Sequence, residues 1–116
     1  MEILIVEDEP QTASMLKSIV LKLRPDAVIR DISDSIESTV SILQHRQNQP
    51  DLIFMDIQLA DGLSFEIFSL VEVKSPVVFC TAYDQYMLEA FKTNGIEYLL
   101  KPVKEEDVEK KGFFEI

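Results

Sequence analysis

Leu52-Ile53-Phe54-Met55-Asp56-Ile57-Gln58 is an unbroken run of four apolar residues closed by a carboxylate. A strand with one wet face alternates apolar and polar residues, whereas a strand covered on both faces of a parallel sheet does not. The runs Ile3 to Val6 and Val77 to Cys80 have the same continuous character, and Ala27 to Ile29 and Tyr98 to Leu100 are shorter versions of it. These five strand-length runs recur about every 20 to 25 residues, which leaves room for a helix after each.

The intervening segments carry helical spacing. Leu16, Ile19, Val20 and Leu23 form one apolar stripe, and Leu63, Ile67, Leu70 and Val71 form another. Pro10 suits the first turn of the first helix, Pro25 follows its end, and Asp34 with Glu37 reads as a capping box for a second helix bearing Ile36, Val40 and Leu43. Leu88 and Phe91 mark a fourth helix; Val103 and Val108 mark a fifth, which Gly112 would stop. With Leu63, Ile67 and Leu70 assigned to the core, Phe65 and Phe68 fall outward as a candidate partner surface. The order is (βα)5, an α/β doubly wound parallel five-stranded sheet with helices on both faces.

The chain has 116 residues, 11 Lys+Arg against 21 Asp+Glu, and a formal net charge of -10. That size fits one core, and that charge repels phosphate backbones and anionic lipid, so direct DNA or membrane binding is not expected. The single cysteine, Cys80, has no internal partner and ends an apolar run, so it reads as a core residue in a reducing, cytoplasmic protein. Met1 to Glu7 lacks the basic flank and apolar length of a leader or a membrane span. His45 lies among polar neighbours and reads as a solvated helix residue.

In open α/β sheets the ligand crevice lies beyond the carboxyl ends of the strands. The residues there are Glu7-Asp8 after the first run, Asp56 after the third, Thr81 after the fourth and Lys101 after the fifth, while Arg30-Asp31 after the second reads as solvated. Three converging carboxylates suit a hard divalent cation, Mg2+ best of all, which takes oxygen ligands and keeps waters. Lys101 and the Thr81 hydroxyl add a cation and a donor for an anionic group on one carboxylate. Asp56 is the nucleophile in the best position, and the product is a phosphorylated aspartate.

Val6-Glu7-Asp8-Glu9-Pro10, Leu52 to Leu59, Cys80-Thr81-Ala82-Tyr83 and Tyr98-Leu99-Leu100-Lys101-Pro102 resemble the receiver domains of two-component response regulators. Thr81 to Tyr86, Ala90-Phe91 and Glu97 to Pro102 resemble the LytTR (LytR/AlgR-type) subgroup. The resemblance implies a flavodoxin-like sheet of order 2-1-3-4-5, a receiver unit over 1-111, and 112-116 as a tail or the start of a linker. It implies Asp56 as phosphoacceptor, Asp8, Asp56 and the Gln58 backbone carbonyl as metal ligands, and Glu7 acting through water. Thr81 and Lys101 would contact the phosphoryl group, Tyr98 would switch with Thr81, and the bond before Pro102 would be cis. A sensor histidine kinase is the implied partner, with homodimerisation through the face of the fourth helix, fifth strand and fifth helix. DNA would be reached only through an output domain beyond these residues. The chain is a piece of a longer regulator or stands alone; the residues leave both open.

Three other readings compete. A haloacid-dehalogenase-type phosphatase needs a second acid where Gln58 stands. A flavodoxin-like cofactor site needs a phosphate loop where Glu7-Asp8-Glu9-Pro10 is anionic. A receiver-like interaction module working without phosphorylation would not require the full pocket.

Overall fold

The computed structural model describes residues 1–45, 49–93 and 95–111, with the His45 side chain left aside. The strands are β1 (Glu2–Val6), β2 (Val28–Ser33), β3 (Leu52–Met55), β4 (Gln58–Leu59), β5 (Gly62–Leu63), β6 (Val77–Thr81) and β7 (Gly95–Leu100). The helices are α1 (Pro10–Leu23), α2 (Ile36–His45), a 3-10 turn over Ser64–Glu66 running into α3 (Ile67–Leu70), α4 (Met87–Ala90) and α5 (Glu105–Lys110). Five parallel strands form one sheet ordered β2-β1-β3-β6-β7, which is 2-1-3-4-5 once the β4-β5 hairpin is set aside.

Strand side chains alternate between faces, and this alternation divides the interior in two. Leu4, Val6, Ile53, Met55, Val77 and Phe79 pack with Ile36, Leu43, Ile67 and Ala90 on one side of the sheet. Ile3, Ile5, Leu52, Phe54, Val78 and Cys80 pack with Ala13, Leu16 and Val20 of α1 and with Val108 of α5 on the other. Both faces of β1, β3 and β6 are therefore dry, which is why those runs are continuously apolar. Each fully buried Phe or Ile contributes about 1.5–3 kcal/mol of transfer free energy.

Several local expectations are corrected. Arg30 and Asp31 lie inside β2, whose end is Ser33, because the second strand continues well past its short apolar run. The Asp34–Glu37 capping box does not form. Instead the Ser35 Oγ accepts from the Ser38 amide at 3.0 Å, and the Asp61 carboxylate accepts from the Ile36 amide at 2.9 Å. The stripe begun at Leu63 is not helical there, since Leu63 pairs in β5 and α3 is a single turn. Phe65 and Phe68 consequently turn inward onto Phe79, with ring centroids 5.7 and 6.3 Å away, while Leu63 and Leu70 are exposed. In α4 the buried residue is Ala90, while Leu88 and Phe91, the residue just after the helix, face outward. Gly112 and residues 113–116 lie outside the described residues.

No helix among the described residues is long and apolar enough to cross a membrane. At Gly95, where β7 begins, an added Cβ would stand 2.7 Å from the Ala90 carbonyl oxygen and 3.1 Å from Phe79 Cε2. The α4–β7 connection therefore closes too tightly for a side chain. Gly95→Ala is expected to destabilise the fold by about 1–3 kcal/mol through this overpacking; urea unfolding that shows no loss would contradict the contact.

Candidate functional site

The sheet register brings the strand ends level. Val6 pairs with Met55, Met55 with Phe79 and Thr81 with Leu100. The ladder then continues one step beyond the strands. The Glu7 amide donates to the Ser33 carbonyl at 2.8 Å, the Asp56 amide to the Val6 carbonyl at 2.9 Å, and the Lys101 amide to the Thr81 carbonyl at 2.8 Å. Backbone hydrogen bonds thus fix the bases of the Glu7, Asp56 and Lys101 side chains.

Glu7 and Asp56 are buried, at 4% and 6% exposure, and Asp8 is half-buried. One carboxylate oxygen from each of the three lies within 4.8 Å of the others. Lys101 Nζ enters this group, 2.8 Å from Glu7 Oε1 and 2.9 Å from Asp56 Oδ2, with the exposed Glu9 at 3.4 Å. The remaining oxygens have local donors: Asp56 Oδ1 accepts from the Ile57 amide at 2.7 Å, and Glu7 Oε2 from the Glu9 amide at 3.1 Å. Burial pushes the Glu7 carboxyl up despite its Lys101 contact. Burial alone would lower the Lys101 ammonium, but its hydrogen bonds to Glu7 and Asp56 outweigh that and hold it charged above the ordinary amine range.

One ammonium does not balance three carboxylates. The donor set is all oxygen, mostly buried and net negative, which is the environment a hard divalent cation stabilises. The three acids therefore fit such an ion. Beside them a cavity of about 350 Å³ is lined by Glu7, Asp8, Ser33, Asp34 and Ser38 among others.

Thr81 is fully buried and its Oγ1 has no hydrogen-bond partner among the described residues, so it does not cap the following segment. An orphaned buried hydroxyl costs about 1–3 kcal/mol, which is regained when an acceptor arrives. Tyr98 is buried against Phe79 and its hydroxyl donates to the Tyr83 carbonyl, two residues past Thr81. Burial raises its phenol above the usual range. The Lys101–Pro102 bond is cis. Cys80 is buried among core residues, and desolvation pushes its thiol up.

Two contacts near the site carry no recognisable signal in the sequence. Tyr86 accepts at its hydroxyl from Gln58 Nε2 at 3.2 Å, and Asp61 reaches α2 from the β4-β5 turn. Both contacts join residues 24 or more positions apart, beyond any local pattern.

Residues 3–111 match the family described as the response regulator receiver domain. The sensory transduction protein LytT of Bacillus anthracis is 37% identical over 111 residues, covering 93% of this chain and 44% of that protein. The positive alginate biosynthesis regulatory protein of Pseudomonas aeruginosa is 35% identical over 112 residues, with the same shares of 93% and 44%. The chain thus spans less than half the length of these relatives. The crystal structure of the response regulatory domain of protein mrkE from Klebsiella pneumoniae superposes with a TM-score of 0.79 at 31% identity, covering 96% of this chain and 91% of that one. With its strand-end acids, threonine and lysine set on this fold, the chain belongs to the response regulator receiver domain family of two-component signalling, within the LytTR subgroup of its LytT and alginate-regulator relatives.

Proposed function

We propose that the chain is the phosphoacceptor of a two-component pathway, taking a phosphoryl group from the phosphohistidine of a sensor kinase onto Asp56. The observation that carries this reading is the Lys101 ammonium held 2.9 Å from the Asp56 carboxylate inside a cluster of acids. An Asp56 carboxylate oxygen attacks phosphorus, an O–P bond forms, and the N–P bond breaks with its electron pair leaving on the kinase imidazole. Mg2+ would be held by the Asp8 and Asp56 carboxylates and the Gln58 backbone carbonyl, with Glu7 through a water, and when bound it supplies charge neutralisation to the phosphoryl oxygens.

The chain's own groups supply the rest. Lys101 is already charged and within reach, so it exchanges its carboxylate contact for a phosphoryl oxygen without crossing solvent. The Thr81 hydroxyl gains the acceptor it lacks, and moving toward it releases space beside Tyr98, whose hydroxyl is tied to the segment entering α4. That segment leads to the exposed apolar residues Leu88 on α4, Phe91 just after it, and Ile96 and Leu100 on β7. This face, with α5, is where a second copy or an output domain would read the switch. DNA would be contacted only through such an output domain. Residues 1–111 would act as the receiver unit, with 112–116 as a tail or the start of a linker.

The competing reading, an interaction module that works unphosphorylated, leaves the orphaned Thr81 hydroxyl and the excess of acids without a purpose. Three measurements decide the matter. Incubation with acetyl phosphate and Mg2+ is expected to give one phosphoryl adduct by intact-mass spectrometry, absent with EDTA and absent in Asp56→Asn; an adduct persisting in that variant would sink the assignment. Asp8→Asn relieves carboxylate repulsion, so without metal it is expected to gain about 1 kcal/mol of stability while losing Mg2+ binding. Equal urea midpoints with retained binding would contradict the charge argument. Lys101→Ala and Thr81→Ala are expected to retain some labelling yet lose any phosphorylation-dependent change in assembly state, read by light scattering.

A further inference from the structure

The acceptor residue is followed at once by a very small hairpin. β4 and β5 contribute two residues each, pairing Gln58 with Leu63 and Leu59 with Gly62 across the turn Ala60-Asp61. An isolated two-stranded hairpin is at best marginally stable in water, so its place in the molecule is set by what it is fastened to. Ser64 N–H donates to the Ile57 carbonyl at 2.7 Å and closes its base. Gln58 Nε2 reaches the Tyr86 hydroxyl on one flank.

On the other flank the Asp61 carboxylate accepts from two amides of α2, Oδ1 from Ile36 at 2.9 Å and Oδ2 from Glu37 at 3.2 Å. Those two bonds hold the Asp61 carboxyl below the usual carboxylate range. Gly62 sits beside this clamp with φ 138°, and a Cβ there would stand 3.2 Å from Ile36 Cδ1, so the hairpin backbone is pressed against the same helix end. The helix does not need Asp61 for its whole first turn, because Ser35 Oγ already takes the Ser38 amide at 3.0 Å. Beside that apolar packing, Asp61 provides a hydrogen-bonded link from α2 to the loop that begins at the acceptor.

We propose that Asp61 is a positioning residue for the metal: by clamping the hairpin to α2 it sets where the Gln58 backbone carbonyl stands relative to Asp56. This rests on the reading that the Gln58 carbonyl is a metal ligand. Residues that orient ligands from outside the coordination sphere typically carry a tenfold or larger effect on metal affinity.

The test uses Mg2+ alone, with no phosphodonor, titrated into the protein while the amide resonances of Ile57 and Gln58 are followed by NMR. Asp61→Ala is expected to raise the Mg2+ dissociation constant about tenfold. Asp61→Asn keeps an acceptor while removing the charge and is expected to restore most of the affinity. Ser35→Ala removes the other cap of α2 and is expected to lower thermal stability as much as Asp61→Ala does, with Mg2+ affinity unchanged. Wild-type affinity in Asp61→Ala, or equal weakening in the Asn and Ala variants, would overturn the proposal. Equal weakening in Ser35→Ala would also overturn it, reducing Asp61 to helix stability. A wild-type protein that binds no Mg2+ would instead overturn the underlying reading of the site.

Discussion

Lys101 between Glu7 and Asp56 is the contact on which the site depends. Removing two carboxylates from water next to a third is unfavourable unless positive charge accompanies them, and breaking a buried pair by deleting one partner typically costs about 3–5 kcal/mol. One ammonium satisfies part of that demand, at 2.8 and 2.9 Å, and leaves negative charge uncompensated. The residual charge is what makes the pocket receptive to a divalent cation. A site with fewer acids would be more stable and less receptive.

The sheet is what makes this concentration of charge tolerable. Glu7, Asp56 and Lys101 are each anchored by a backbone hydrogen bond that extends a parallel ladder one residue beyond its strand. Two dry layers, one under α1 and α5 and one under α2 and the hairpin, hold those strand ends in place. The repulsion among the acids is therefore carried by side chains whose backbone is hydrogen-bonded into the sheet. Thr81 and Tyr98 lie two rungs apart on the β6-β7 ladder, the hydroxyl of one without a hydrogen-bond partner among the described residues and that of the other tied to the Tyr83 carbonyl.

Legibility in the sequence followed the range of the interaction. The strands β1, β3 and β6 could be read because burial on both faces leaves an unbroken apolar run. The positions of Glu7, Asp56, Thr81 and Lys101 at the carboxyl ends of the strands could be read because each follows an apolar run, with Asp8 one residue further on. Helix α1 matched its stripe, with Leu16 and Val20 buried. The third helix did not, because Leu63 belongs to a two-residue strand, and so short an element has no period to detect. That error propagated to Phe65 and Phe68, whose inward packing on Phe79 follows from the shortened helix. The capping of α2 by Asp61 was invisible for a different reason, since no local rule joins residues 25 positions apart.

Asp56 is one of three neighbouring acids, and the proposed phosphoryl transfer requires that it alone carry the group. Reduction of the phosphorylated protein with borohydride converts an acyl phosphate on aspartate into homoserine, and peptide sequencing by mass spectrometry then locates it. Homoserine at position 56 alone is the predicted result. Homoserine at position 8, or none in a protein carrying the phosphoryl mass, would contradict Asp56 as the acceptor.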